Sequence, residues 1–302
     1  MTISRIQMSS EGPDCSRLAW GMGSLPMTYT CDEVLGMLDV CMDVGITTLD
    51  NAENYGGFTR EQLLGQALAR RPNLRDRLQL ITKCGCVGVT PRYPEYKGYH
   101  YDTTKEHIIT AAESSLRNFG TDRLDALLLH RPDPLMDADE VAEAFTRLRA
   151  AGKVLHFGVS NFTPSQFELL AARLDFPLVT NEVQFSVLYL EPWYDGTLDL
   201  CQKNRISPLA WGPLGRGQLF QGSSEQVVRM RKALEQVGLE LGGAPIDQVA
   251  LAWVLKHPAR IIPILGTGIP DEMKSAAQAE SLTLSRQQWF TLWEASRGEK
   301  LP

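Results

Sequence analysis

A chain of 302 residues with 43% hydrophobic and 22% charged side chains can bury a substantial core, and general disorder is excluded. The formal net charge of -6 leaves no general basic surface, which argues against nucleic acid or an acidic membrane as a main partner while permitting a local basic pocket. The opening MTISRIQMSSEGPD lacks the apolar core of a signal peptide and no run is long enough to span a bilayer, so a cytoplasmic location is expected.

In chain order, ISRIQMSS, EGPD and CSRLAWGMG read as a short hairpin leading into a first buried strand at Leu18 to Trp20, with Gly21 and Gly23 at its exit. Val34, Leu35, Leu38, Val40 and Cys41 recur at helical spacing and stop at Gly45, where a left-handed residue is expected after a helix. A second strand is expected at Thr47 to Leu49. Leu63, Leu64, Ala67 and Leu68 form the next helix face, Pro72 closes it, and Leu78 to Thr82 reads as a third strand ending at Lys83. From Cys84 to Asp102 the chain carries Tyr93, Tyr96, Tyr99 and Tyr101 among several Gly and Pro residues. This stretch is expected to be irregular, is longer than an ordinary connection, and is a candidate lid.

Ile108 to Phe119 carries a helical stripe, and Leu124 to Leu129 is a buried strand ending at His130. Val141, Phe145 and Leu148 mark a helix that stops at Gly152, and a fifth strand from Val154 ends in Ser160-Asn161. Thr163-Pro164 then opens a helix with a cap followed by proline. Leu178 to Val183 and Ser207 to Trp211 are the sixth and seventh strands, with a helix around Leu198 between them. Helices around Val227 to Leu241 and Ile246 to Lys256 precede an eighth strand, Ile261 to Leu265, which ends at Gly266-Thr267-Gly268. Trp289 and Trp293, four residues apart, read as a packing stripe on a C-terminal helix. Cys15, Cys31, Cys41, Cys84, Cys86 and Cys201 have no metal-ligand spacing and are expected to be reduced thiols, with no metal site.

Eight short apolar strands alternating with helices imply parallel pairing and closure into an eight-stranded α/β barrel, a (β/α)8 TIM barrel with an N-terminal β-hairpin and additional helices, expected as one domain over residues 1–302. An open doubly wound sheet competes, but Gly21-Met22-Gly23 lacks the third glycine of its phosphate fingerprint.

In a barrel the C-terminal ends of all strands meet on one face, so their polar residues form one set. That set is Asp50 with Tyr55 close behind, Lys83, His130, and Ser160-Asn161. Singly, each has an ordinary explanation as a turn cap, a solvated lysine or a bonded histidine; together they suit proton delivery to a carbonyl. A phenol with a pKa of about 10 is a reluctant acid at neutrality and needs a neighbouring cation. Lys83 can supply it, Asp50 can balance the buried ammonium, and the His130 imidazole can orient the substrate oxygen toward Tyr55. No residue here stores a hydride, so an outside donor is required. Ser160 and Asn161 suit a carboxamide, and Trp211 offers a flat face for an aromatic ring. The backbone around Gly212, Gly215 and Arg216, with Gly266 and Thr267 ahead of a helix, suits phosphate.

Several motifs agree on one resemblance. G-I-T-T-L-D-N-A-E-N-Y-G, I-T-K-C-G, L-L-L-H-R-P-D-P, G-V-S-N-F, N-E-V-Q and W-G-P-L-G-R-G-Q-L fall in the order found in aldo-keto reductases, and the chain resembles that family over almost its whole length, in the manner of its bacterial predicted-oxidoreductase branch. The resemblance implies Tyr55 as general acid, Lys83 and Asp50 as its activating pair, and His130 as the carbonyl-orienting group. It further implies a nicotinamide held by Ser160, Asn161 and Glu182 and stacked on Trp211, with phosphates near Leu214, Gly215 and Thr267. Glu182 stands where the family usually has Gln, and Trp211 where many members have Tyr. The Arg that grips an adenosine 2′-phosphate falls near Met273, with Lys274 adjacent, so NADPH is favoured and NADH possible.

The expected activity is reduction of a small-molecule aldehyde or ketone. The substrate walls are expected at Met22 and Leu25, at Tyr93 and Tyr96, and at Arg131 after His130. Two other readings remain: a Schiff-base aldolase using Lys83, and a non-catalytic barrel that binds the cofactor as a sensor or partner subunit. Oligomeric state is not legible.

Overall fold

The computed structural model describes residues 2–90, 94 and 96–301. Strands β1 (Arg5–Gln7) and β2 (Asp14–Ser16) pair antiparallel as the expected hairpin. The following strands are β3 (Ala19–Gly21), β4 (Thr48–Asp50), β5 (Gln79–Cys84), β6 (Cys86–Val87), β7 (His100–Tyr101), β8 (Leu124–Leu129), β9 (Val154–Ser160), β10 (Asn181–Gln184), β11 (Leu209–Trp211) and β12 (Ile262–Leu265). Among the described residues, β3, β4, β5, β8, β9, β10, β11 and β12 form a closed barrel in that cyclic order, every neighbouring pair parallel. The open-sheet alternative is thereby removed.

Local signals account for where the elements begin and end. Thr30 and Glu33 form a reciprocal capping box at the start of helix Cys31–Val44, and Gly45 ends it at φ 87°, its N–H bonded to the last carbonyls. Thr163 and Gln166 cap helix Pro164–Ala171 in the same way, with proline at its first position.

Strand alternation sorts each strand's residues between two environments. Ala19, Ile81, Ala126, Leu128, Leu209, Ile262 and Ile264 fill the barrel, and Ile6, Met8 and Cys15 of the hairpin pack against them. Lys83 lies two residues beyond Ile81, His130 two beyond Leu128, and Trp211 two beyond Leu209, so the same inward side carries apolar packing at depth and chemistry at the mouth. Outside the barrel, helix faces bury two further apolar clusters. Trp289 and Trp293 sit in one of them; the Trp253 and Trp289 rings stack 4.8 Å apart, and each indole N–H donates to the other residue's carbonyl.

The stretch after β5 differs from expectation at its ends. Cys86–Val87 and His100–Tyr101 pair antiparallel, so the expected irregular loop is closed by a short hairpin. Gly85, at φ 95°, makes the bend between β5 and β6 that a side chain would strain. Tyr93 lies outside the described residues. All six cysteines are free thiols. Among the described residues no helix is long and apolar enough to cross a membrane, and no group of His, Cys, Asp and Glu side chains is arranged to hold a metal.

Candidate active site

Asp50 ends β4, and the chain then doubles back over the barrel mouth. Asn51 N–H donates to the Ile81 carbonyl, Glu53 N–H to that of Lys83, and Tyr55 N–H to that of Ala52, which ties the turn to β5. Buried Arg60 donates to the Leu25 and Pro26 carbonyls, both at 2.6 Å, and packs under Gly56. The Tyr55 ring lies against Gly23, where an added Cβ would come within 2.9 Å of the ring. The turn thus presents its phenol to the end of β5 from a fixed direction.

Lys83 is the centre of the site and has no exposed surface. Its Nζ lies 2.5 Å from Asp50 Oδ1, 3.0 Å from the Asn51 carbonyl and 3.2 Å from the Tyr55 hydroxyl. A fourth group, not foreseen in this position, is the Glu182 carboxylate, whose Oε2 is 3.1 Å from the same Nζ in an ion contact without hydrogen-bond alignment. Burial alone would depress the Lys83 ammonium, but Asp50, Glu182 and Tyr55 outweigh it and hold its pKa above the usual value. Lys83 is therefore charged.

The Tyr55 phenol is raised from its ordinary value because burial outweighs the attraction of Lys83, with Asp50 and Glu182 adding to the rise. Desolvation and the two carboxyls thus oppose the lysine in the free protein. The phenol is kept fully protonated. His130 is pushed well below the usual imidazole range by burial, then by Lys83 and Arg131. It is neutral, its ring meets that of Tyr55 edge-on at 5.6 Å, and its buried Nδ1 has no hydrogen-bond partner among the described residues.

The remaining strand ends form a second group. Asn161 adopts φ 61°, a conformation asparagine tolerates better than most residues. Its amide donates to Ser160 Oγ at 2.7 Å and its oxygen accepts from the Trp211 indole at 3.0 Å. Ser160 Oγ donates to the Glu182 carbonyl at 3.1 Å. The Arg131 guanidinium lies 5.7 Å from the centre of the Trp211 ring. Gln184, two residues beyond Glu182 and in register with Trp211, lines a cleft of about 540 Å³ together with Ser186, Gly215 and Arg216. Sequence reading passed over Gln184, although its even spacing from Glu182 puts it on the same side of β10.

Several expected residues sit differently. Glu182 was assigned to a carboxamide, yet its carboxylate turns inward to Lys83. Met22 is wholly buried, its sulfur accepting from the Asn51 amide at 3.4 Å, and Leu25 is 5% exposed, so as they lie neither offers a substrate surface. Tyr96 is half-buried against His100 in the long loop. Leu214 packs against the helix-side core. Gly212 and Gly215 have φ of 62° and 64°, and Arg216 shares that left-handed region at 55°. Gly266 is exposed, while Thr267 Oγ1 closes the turn ahead of the next helix by accepting from Ile269 N–H and bonds Glu272. Lys274 is exposed and 3.4 Å from Asp271, whereas Met273 is fully buried and unavailable to a phosphate.

A parallel barrel whose mouth gathers a phenol, an ammonium, a carboxylate and an imidazole is built for acid–base work on a small molecule. The sequence pattern of the Aldo/keto reductase family matches residues 17–297, and the chain belongs to that family. It is 45% identical over 301 residues to the Bacillus subtilis uncharacterized oxidoreductase YcsN, covering 99% of this chain and 100% of that one. It is 41% identical, with the same coverage, to a 6-dehydroglucose reductase of Agrobacterium fabrum. A thermostable aldo-keto reductase solved with the inhibitor epalrestat superposes with a TM-score of 0.82 at 26% identity, covering 97% of this chain and 100% of that one. The protein is thus an oxidoreductase acting with NAD(P). The residues present fit such a cofactor: the neutral His130 and the Ser160–Asn161–Trp211 chain are polar groups facing the mouth, and Arg216 is a cation in the lining of the adjoining cleft.

Proposed function

We propose that the protein reduces an aldehyde or ketone to an alcohol, with Tyr55 as the proton donor and NADPH as the favoured cofactor. The observation that carries the reading is the bridge at Lys83, 2.5 Å from Asp50 and 3.2 Å from the Tyr55 hydroxyl. The cofactor supplies the hydride. Tyr55 holds the proton that the new alkoxide takes, Lys83 stabilises the phenolate left behind, and Asp50 keeps Lys83 charged. Neutral His130 donates a hydrogen bond that orients the carbonyl oxygen. Ser160 and Asn161 hold the carboxamide, joined by Gln184, whose amide both donates and accepts where a carboxylate only accepts. Trp211 stacks on the ring. Gly212, Leu214, Gly215, Arg216, Gly266 and Thr267 face the phosphates.

Lys274 is the cation offered to a 2′-phosphate, and the acidic Asp271 and Glu272 beside it soften the preference for NADPH over NADH. Lys274→Ala is expected to weaken NADPH binding by about threefold to fivefold, the worth of an exposed charge contact, while leaving NADH binding unchanged. Fluorescence titration with both cofactors checks it; equal losses for both would remove Lys274 from that role.

The Agrobacterium relative is named for a sugar bearing an extra carbonyl, which favours a hydroxylated aldehyde as the substrate class here. A panel of sugar aldehydes and of apolar aldehydes, assayed by cofactor oxidation, tests it; a preference for the apolar set contradicts it. Arg131 and Tyr96 are the polar walls proposed for that substrate. A Schiff-base mechanism is disfavoured because Lys83 is charged and enclosed, with no free amine to attack a carbonyl. Borohydride treatment with aldehyde is expected to leave Lys83 unmodified by mass spectrometry.

A further inference from the structure

Behind the proton donor, two buried carboxyls face one ammonium. Asp50 and Glu182 are each 2% exposed, and Lys83 has no exposed surface. Both carboxyls reach the same cation, Asp50 Oδ1 at 2.5 Å and Glu182 Oε2 at 3.1 Å from Lys83 Nζ, so two acids share one counter-charge. The titratable groups facing Glu182 are Asp50 from β4, Lys83 from β5 and Tyr55 from the turn after β4. With Tyr55 protonated and His130 neutral, two ionised carboxylates would leave the enclosed cluster with one uncompensated negative charge, a costly state at this burial. One shared proton makes it neutral.

We propose that Asp50 and Glu182 hold one proton between them in the free protein and release it to solvent when the positively charged oxidised cofactor binds, but not when the reduced cofactor does. Glu182 is then a positioning residue that couples the redox state of the cofactor to the charge around Lys83. With reduced cofactor the pair carries a single negative charge and Lys83 acts on Tyr55 with more of its field, as proton donation to an alkoxide requires. With oxidised cofactor the released proton leaves a second negative charge, which compensates the cationic ring. The inference rests on the nicotinamide-dependent reading of the site. It is specific to this chain in that a glutamine at 182 has no proton to release.

Burial raises both carboxyls, so the free pair keeps its proton at neutral pH and loses it only on the alkaline side. Affinity for the oxidised cofactor should therefore rise with pH by up to about tenfold per unit and level off once the free pair has ionised.

Calorimetric titration near neutral pH in buffers of differing ionisation enthalpy counts the protons released. The wild-type protein is expected to release close to one more proton with oxidised than with reduced cofactor, a difference in which the adenosine phosphates cancel. Glu182→Gln, which keeps the shape but has no carboxyl proton, is expected to abolish that difference while binding both forms. Equal release from both forms in the wild type, or an unchanged difference in the variant, overturns the proposal. If the variant does not fold, the wild-type infrared difference spectrum decides: oxidised cofactor should erase a protonated-carboxyl stretch, and its persistence overturns the proposal. Absence of any cofactor binding would instead count against the reductase reading.

Discussion

Replacing Tyr55 by phenylalanine is expected to lower kcat by about 10²- to 10⁴-fold, the usual worth of a positioned general acid. Affinity for the cofactor should not change. The ring of Phe would still pack against Gly23 and meet His130 edge-on, so the turn that carries it keeps its contacts. What disappears is the hydroxyl 3.2 Å from Lys83, the phenol whose anion the lysine can stabilise. Steady-state assays and fluorescence titration of the cofactor separate the two effects. Full retained turnover would sink Tyr55 as the proton donor, while loss of cofactor binding would show that the substitution had disturbed the fold.

Lys83→Met should be more damaging, because it removes catalysis and stability together. The methionine fills a similar volume but leaves Asp50 and Glu182 enclosed with no cation between them. Breaking a buried ion pair by removing one partner costs about 3–5 kcal/mol, a large fraction of the stability of an ordinary domain. Part of that is recovered if the carboxyls take up protons, so the loss should shrink in acid, where both are neutral, and grow as pH rises. Denaturant melts of variant and wild type at two pH values measure it. Turnover should fall at least as far as in Tyr55→Phe, since the phenolate then has no counter-charge. An equally stable variant at neutral pH would mean that the carboxyls are already neutral without Lys83.

Both expectations rest on residues that the chain's order brings out one at a time. Asp50, Lys83, His130 and Ser160 stand at the ends of strand-like runs, and only the parallel pairing of β4, β5, β8 and β9 sets those ends side by side on one rim. Strand periods, glycine stops and capping residues are local, and so the alternation of eight strands with helices could be read directly from side-chain pattern. The site motif could be read for the same reason, since each functional group sits a short and regular distance past an apolar run. Tyr55 in particular is legible because the turn from Asn51 to Asn54 is too short to take it far from the end of β4.

Other features depend on contacts between distant segments, to which a linear pattern is blind. The pairing of Cys86–Val87 with His100–Tyr101 is one, a two-residue ladder too short to leave a periodic signature. The inward turn of Glu182 is the more consequential. Its place on β10 was evident from the sequence, but whether its carboxylate would meet a cofactor or Lys83 depended on the radius and register of the closed barrel. The sign of the Tyr55 shift was likewise undetermined, because desolvation depends on everything packed around the phenol and Coulomb attraction only on its nearest cation. Sequence alone pointed to the barrel through local pattern and to the family through its motifs, and it singled out Asp50, Tyr55, Lys83 and His130 as candidates because each follows an apolar run closely. The tertiary structure decided how many charges those groups enclose, because burial and distance are properties of the folded chain.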